Sequence, residues 1–323
     1  MQDTSKKERE APVRTLTPIT ILMAVIVSAI LAMMPFPAAA QERPLHDWSD
    51  APEIFPGIRH VFLDTDTPRP LKINVLQIDL TRKDLGFMTA KRDPDWGKPM
   101  PDHPSLPIRV RRQTSRDFLL ESRKNGIDML TAVNATLWSP FSTSRDYRYG
   151  ALLGLVISDG QLVDEVLEKY PRPTFIITKT GEYQIRIVNK DEDLSGIQLA
   201  VSGYHMVLEN GKIIAGQEKK TKLAPRTGLG LSAGCRYLIL MTIDGRMPTV
   251  SEGVSIREVG DWMRRFGAET AMNMDGGGST TMVVFDGKDD VRKLNVAPDY
   301  RKVATSLGVY RIRKEKTSGQ PEK

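Results

Sequence analysis

Ala271-Met272-Asn273-Met274-Asp275-Gly276-Gly277-Gly278-Ser279-Thr280-Thr281-Met282-Val283-Val284 joins two apolar runs through one carboxylate, three glycines and three hydroxyls. Glycine lets the backbone turn through positive φ and lets a ligand reach main-chain N–H groups without meeting a Cβ. A strand that ends in an acid beside such a turn is a common way to build a site. The same letters also read as a tight strand–turn–strand hairpin whose Asp caps the turn. The surroundings must separate the two readings.

Upstream, Ser255 with Glu258 three residues later is a capping-box signature. Ile256, Val259, Met263 and Phe266 then recur on one helical face before Gly267. Tyr237–Asp244 before it and Thr270–Asp275 after it read as strands. A strand–helix–strand unit makes its two strands parallel, which places Asp244 and Asp275 at carboxyl ends on one sheet edge. A second helix is expected over Thr114–Lys124, stopped by Asn125-Gly126. Further strands are read at Arg59–Asp64, Leu71–Leu80, Met129–Asn134, Leu152–Ser158, Phe175–Thr178, Gln184–Val188, Thr281–Phe285 and Ser306–Arg311. Met206–Leu208 and Lys212–Ile214 flank Glu209-Asn210-Gly211 as a hairpin. Arg92–Pro107 reads as a long loop. The fold class is therefore α+β, a single domain with a mixed, strand-rich sheet and a few packed helices.

The first forty residues read as a leader. Lys6, Lys7, Arg9 and Arg14 precede an apolar stretch from Ile19 to Met34, and Pro37-Ala38-Ala39-Ala40 closes it. That pattern fits a secretory signal cut before Gln41, with an uncleaved membrane anchor as the alternative. Residues 41–70 are expected to form an N-terminal arm and first strand, 71–312 the main domain, and 313–323 a disordered tail. An exported chain with Cys235 as its single cysteine has no internal disulfide, which suits a periplasmic enzyme or one held at the inner membrane. Cys235, beside Gly234 and an apolar run, reads as a structural thiol. The formal net charge is +6, with the basic residues mostly dispersed and without aromatic interleaving. This points away from nucleic acid and toward a mild preference for anionic substrates.

Arg226, in Ala224-Pro225-Arg226-Thr227-Gly228, is a guanidinium on a constrained loop, suited to a carboxylate or phosphate. Asn134 ends an apolar strand as either a turn residue or a ligand contact. Asp244-Gly245 alone would be a turn, and gains weight from its pairing with Asp275. Gly228-Leu229-Gly230 lacks the following helix of a dinucleotide fingerprint, and the Gly276–Ser279 run lacks the Lys of a P-loop. The four histidines, His46, His60, His103 and His205, are too scattered for a zinc site.

The order of Val133-Asn134, Gly154–Gly160, Ser202-Gly203, Pro225-Arg226-Thr227, Ile243-Asp244-Gly245, Gly253 and Asn273–Thr280 resembles the phosphodiester glycosidases. The likeness runs from about Leu71 to Tyr310 and is most specific over Arg226–Thr280; Tyr300-Arg301-Lys302-Val303-Ala304 extends it. It implies a hydrolase that breaks the anomeric C–O bond of a sugar-1-phosphodiester, GlcNAc-1-phosphate or a related sugar, in periplasmic or cell-surface glycans. By this resemblance Asp275 acts at the anomeric carbon and Asp244 is the second carboxylate. Arg226 neutralises the departing phosphate with the N–H groups of Gly276, Gly277 and Gly278 and the hydroxyls of Ser279 and Thr280. Asn134 orients a sugar hydroxyl, and Gly203 and Thr227 belong to the substrate site. No cofactor and no dedicated metal site are expected; the alternative is a hydrolase in which Asp244 and Asp275 share Ca²⁺ or Mg²⁺. The expected partner is a sugar phosphate or polysaccharide, with the membrane reached only through the leader; oligomeric state is not legible. Where the family has Gly-Gly and two phenylalanines after its Asn, this chain has Ala135-Thr136-Leu137-Trp138. Trp138 and Tyr204 could then stack on a sugar ring. That departure keeps a second alternative open, a non-catalytic carbohydrate-binding accessory of exopolysaccharide export.

Overall fold

The computed structural model describes residues 46–141, 146–214, 222–287, 290–297 and 300–313. The expected leader and most of the tail lie outside the described residues. Arg43–Lys323 is one compact unit. Among the described residues no helix is long and apolar enough to cross a membrane.

Two sheets pack face to face, and each carries a helix on its outer side. The larger has eight strands in the order Glu53–Phe55, Ile58–Thr65, Leu71–Asp79, Tyr237–Ile243, Arg226–Leu231, Thr270–Asn273, His205–Glu209 and Lys212–Ile213. Side chains alternate across it, as the pleat requires. Leu238, Leu240 and Met272 enter the shared core, while Ile239, Met241 and Ala271 meet Val259, Trp262 and Met263 of the Ile256–Arg265 helix. The second sheet runs Val291–Lys293, Met282–Phe285, Asp128–Asn134, Ser306–Arg311, Leu85–Met88. Leu130, Val133, Met282, Val284, Leu307 and Val309 give its inner face. Met129, Ala132 and Val283 pack outward against Phe118 and Leu119 of the Ser115–Lys124 helix. A third sheet of five strands, in the order Gln161–Asp164, Val156–Ser158, Ile197–Ser202, Pro173–Thr178 and Tyr183–Ile187, closes the core with Phe175, Leu199 and Val201.

The strand–helix–strand unit forms with one strand inserted. Arg226–Leu231 lies between Tyr237–Ile243 and Thr270–Asn273 and is antiparallel to both, so the outer two are parallel. Arg226, expected on a constrained loop, is the first residue of this strand. Gly228 and Gly230 hide the strand in the sequence because the helix packs directly on them. A Cβ on either would come within 2.9 Å of the Met263 side chain. Glycine inside a strand often marks such a close approach.

Two other expectations need correction. Leu152–Ser158 is split: Tyr149–Leu152 pairs with Trp138–Ser139, whereas Val156–Ser158 joins the third sheet. The Leu152 N–H is taken by the Asp164 carboxylate at 2.8 Å, where the chain changes sheets. Arg92–Pro107 is not loop throughout, since Pro99–Met100 pairs with His103–Pro107. Five prolines in that span (Pro94, Pro99, Pro101, Pro104, Pro107) masked the strand signal. Cys235 is half-buried, with its thiol directed at the Tyr183 carbonyl and pushed up by burial.

The Ile256–Arg265 helix starts as read. The Ser255 hydroxyl accepts from the Glu258 N–H, the Glu258 carboxylate accepts from the Ser255 N–H, and Glu258 pairs with Arg69. Ser255→Ala should lower the unfolding free energy by about 1 kcal/mol. Urea denaturation measures it, and an unchanged midpoint would deny the cap its role.

Candidate active site

Asp275 lies where the two sheets meet. Register pairs Arg226 with Ile243 and Gly228 with Asn273, so Arg226, Asp244 and Asp275 all come to one edge of the large sheet. From there the Asp275–Thr281 segment crosses to the second sheet, where Met282 pairs with Val133.

Asn134 holds the crossing. Fully buried at the end of its strand, it donates from Nδ2 to the Asp275 carbonyl at 2.6 Å. Its Oδ1 accepts from the Thr227 hydroxyl at 2.7 Å and the Thr281 N–H at 3.1 Å. The next residue adds to this, since the Asp275 N–H donates to the Ala135 carbonyl at 3.0 Å. One carboxamide thus ties both sheets to both ends of the glycine turn. Asn134 and Thr227, expected at the substrate, are buried and turned toward each other.

The Asp275 side chain is 5% exposed and its Oδ2 has no hydrogen-bond partner. Burial pushes its carboxyl up to about 6, against the opposing influence of Ser279, the Arg301 charge, the Gly276 amide and the Trp138 indole. The indole is near enough to act on the carboxylate without completing a hydrogen bond, because Trp138 Nε1 is itself buried and unpartnered. Thr280 Oγ1 is buried and unpartnered as well, and Ser279 is buried beside it. The turn opens outward through Gly276 and Gly277 to Gly278, which is exposed. Gly277 takes φ +62°, a region glycine enters freely.

The other candidates are placed as follows. Both oxygens of buried Asp244 are engaged: Oδ2 accepts from the Val296 N–H at 2.9 Å, and Oδ1 lies 3.3 Å from the Ala297 N and 3.4 Å from Asn295 Nδ2. The Arg226 guanidinium donates to the carbonyls of Val254 and Lys222, at 3.2 and 3.0 Å. Gly203 packs on the sheet, where a Cβ would lie 2.9 Å from the Asn273 carbonyl. The donors on both Asp244 oxygens would compete with a Ca²⁺ or Mg²⁺ ion shared between Asp244 and Asp275. Among the described residues no group of three His, Cys, Asp or Glu could hold an ion.

Trp138 needs correction as a sugar platform. It is 1% exposed, with Phe141 at 5.2 Å and the guanidiniums of Arg112 and Arg301 over its ring at 4.0 and 5.6 Å. Tyr204 is partly exposed, under Arg172 and beside His205. Sequence reasoning gave no site role to Arg112, Arg246, Arg301 or Thr305. The Thr305 hydroxyl accepts the Thr136 N–H at 2.8 Å and its carbonyl accepts the Ala135 N–H at 3.1 Å, which fixes the loop after Asn134. The family-like segment around Arg301 was the available signal for that arginine.

Residues 130–310 match the phosphodiester glycosidase family. The chain belongs to that family. In fold it is similar to the catalytic domain of zebrafish N-acetylglucosamine-1-phosphodiester α-N-acetylglucosaminidase, auto-inhibited by its pro-peptide in that structure. The TM-score is 0.53 at 20% identity, over 79% of this chain and 82% of that one. A hypothetical protein from Synechocystis gives a TM-score of 0.49 at 13% identity, covering 81% of this chain and 64% of that one. Comparison with curated protein sequences gave no match.

A carboxyl that titrates near 6 when folded and near 3.8 when unfolded binds its proton more tightly in the native state. Stability therefore falls as pH rises from about 4 to about 6, by on the order of 3 kcal/mol once the group is ionised. Asp275→Asn should remove that loss. It should be more stable than the parent in urea at pH 7.5, with the gap closing by pH 4. A gap of the same size at both pH values would contradict the buried, raised carboxyl.

Proposed function

We propose that this family member is an exported hydrolase that breaks the anomeric C–O bond of a sugar-1-phosphodiester, GlcNAc-1-phosphate or a related sugar, in periplasmic or cell-surface glycans. The observation that carries the reading is Asp275: one buried carboxylate with an unpartnered oxygen, beside a glycine turn ringed by arginines. A phosphodiester brings both groups such a site can use, an electrophilic anomeric carbon and an anion.

The reaction needs little acid help. As the C1–O bond breaks, its electron pair goes to the phosphate oxygen, and the diester monoanion becomes a phosphomonoester dianion. Water supplies hydroxide to C1 and its remaining proton leaves to solvent. Positive charge develops on the sugar and negative charge on the phosphate. An ionised Asp275 acts at the anomeric carbon, as nucleophile, base or charge stabiliser, in a site where low dielectric strengthens its field. Asn134 and Thr227 position Asp275 through its backbone, and the Asp244 carboxylate holds the Asn295–Ala297 segment beside the same edge.

Release of the sugar from a GlcNAc-1-phosphodiester by residues 41–323, beside Asp275→Ala and with chelator, tests the reading. Wild-type release that chelator spares and the substitution abolishes is expected; a folded wild type inert on a panel of sugar-1-phosphodiesters would favour the binding-accessory reading. With Asp275 working ionised, kcat/KM should rise through pH 6 and level above it. A profile falling with pH across that range would reverse the role assigned to the carboxyl.

A further inference from the structure

Two of the three glycines in the turn face an arginine head. A Cβ on Gly276 would stand 3.0 Å from the Pro225 carbonyl and 3.7 Å from Arg226 Cδ, one on Gly277 3.1 Å from an Arg246 Nη, and one on Gly278 3.3 Å from an Arg301 Nη. At Gly276 the approach is by the stem of an arginine whose head is bonded to carbonyls. At Gly277 and Gly278 it is the guanidinium head itself. Any side chain at those positions would push the head away, so the triple glycine brings two cationic groups against the backbone that follows Asp275.

Arg246 and Arg301 make no side-chain hydrogen bond and no ion pair with another described residue, although the chain forms ion pairs freely on its surface. A third guanidinium stands behind them. Arg112 is buried over the same Trp138 ring that Arg301 overlies, and burial together with Arg301's charge pushes it down to about 10. Gathering like charges around one carboxylate costs energy unless an anion joins them. Trp138 Nε1 and Thr280 Oγ1 add two buried donors without partners.

The backbone supplies an independent observation. Arg246 has φ +61°, the left-handed region that non-glycine residues other than Asn and Asp rarely enter. It follows Gly245 in the Asp244-Gly245-Arg246 turn, where Asn or Gly would be easier. Among the described residues nothing accepts a hydrogen bond or ion pair from that exposed side chain, so no contact there explains the conformation.

We propose that Arg246 and Arg301 clamp the phosphate of the substrate and make the site selective for anionic leaving groups over neutral ones. The proposal rests on the glycosidase reading above and goes beyond it by assigning the phosphate to these two residues instead of Arg226. Phosphate gains one negative charge as the C1–O bond breaks, so two guanidiniums bind the departing dianion more tightly than the starting monoanion. That difference lowers the barrier and replaces a general acid.

Calorimetric titration of the full chain with inorganic phosphate, and turnover of a sugar-1-phosphodiester beside the aryl glycoside of the same sugar, test it. Arg246→Asn, which suits a left-handed residue, should keep or raise the thermal midpoint while weakening phosphate by about tenfold or more. It should cut phosphodiester kcat/KM by about a hundredfold, mostly in kcat, and change aryl glycoside hydrolysis by less than about threefold. Arg301→Lys keeps the charge and loses the fork, so it should show a smaller loss in the same direction. Both variants binding phosphate like the parent, or both substrates slowing equally, would overturn the clamp. A wild type that binds phosphate through these arginines but releases no sugar would sink the glycosidase reading and leave the clamp standing. A wild type that releases sugar with both substitutions silent would do the reverse.

Discussion

The Asn134 carboxamide is the constraint on which the site depends. The shared core packs the sheets together without fixing how the chain passes between them, because apolar contact has little directionality. Buried polar groups do have direction, and each must find its partner. Asn134 uses Nδ2 once and Oδ1 twice, on Asp275, Thr227 and Thr281. Those bonds set the carboxyl end of one sheet against the end of the other and leave the three glycines between as a short, open turn. A substitution at Asn134 would strand buried donors and acceptors and release the turn together.

The charges around Asp275 follow from that geometry. Burial disfavours an ionised carboxylate, and a nearby guanidinium favours it; here burial wins and the group titrates near 6. A site that holds its carboxylate at that balance is responsive to what binds beside it. An arriving phosphate would add negative charge close to Asp275 while taking up the field of the arginines. The same low dielectric that raises the carboxyl strengthens every interaction with charge developing on the substrate. Asp244 contrasts with it, because donors to both its oxygens hold it to the segment after Leu294.

Much of this was legible from the residues. The capping box at Ser255, the parallel relation of Tyr237–Ile243 and Thr270–Asn273, and the placing of Asp244 and Asp275 at one edge all follow from local pattern and the strand–helix–strand connection. What sequence could not give was direction. Asn134 read equally as turn residue or ligand contact, and only placement shows its amide turned inward. Trp138 looked available because aromatic rings often face sugars, yet Arg112, Arg301 and Phe141 bury it. Arg246 sat in a turn motif whose letters gave it no partner, and its closeness to Gly277 comes from parts of the chain about thirty residues apart. The Arg226–Leu231 strand was hidden by glycines whose purpose is a helix packed on the far side of the sheet.

In the proposed reaction the bond broken is the one at the anomeric carbon. Hydrolysis of a sugar-1-phosphodiester in ¹⁸O-labelled water, with both products analysed by mass spectrometry, tests it directly. Attack at carbon puts the label at the anomeric hydroxyl of the released sugar and none in the phosphomonoester. Label in the phosphate would show attack at phosphorus and contradict it.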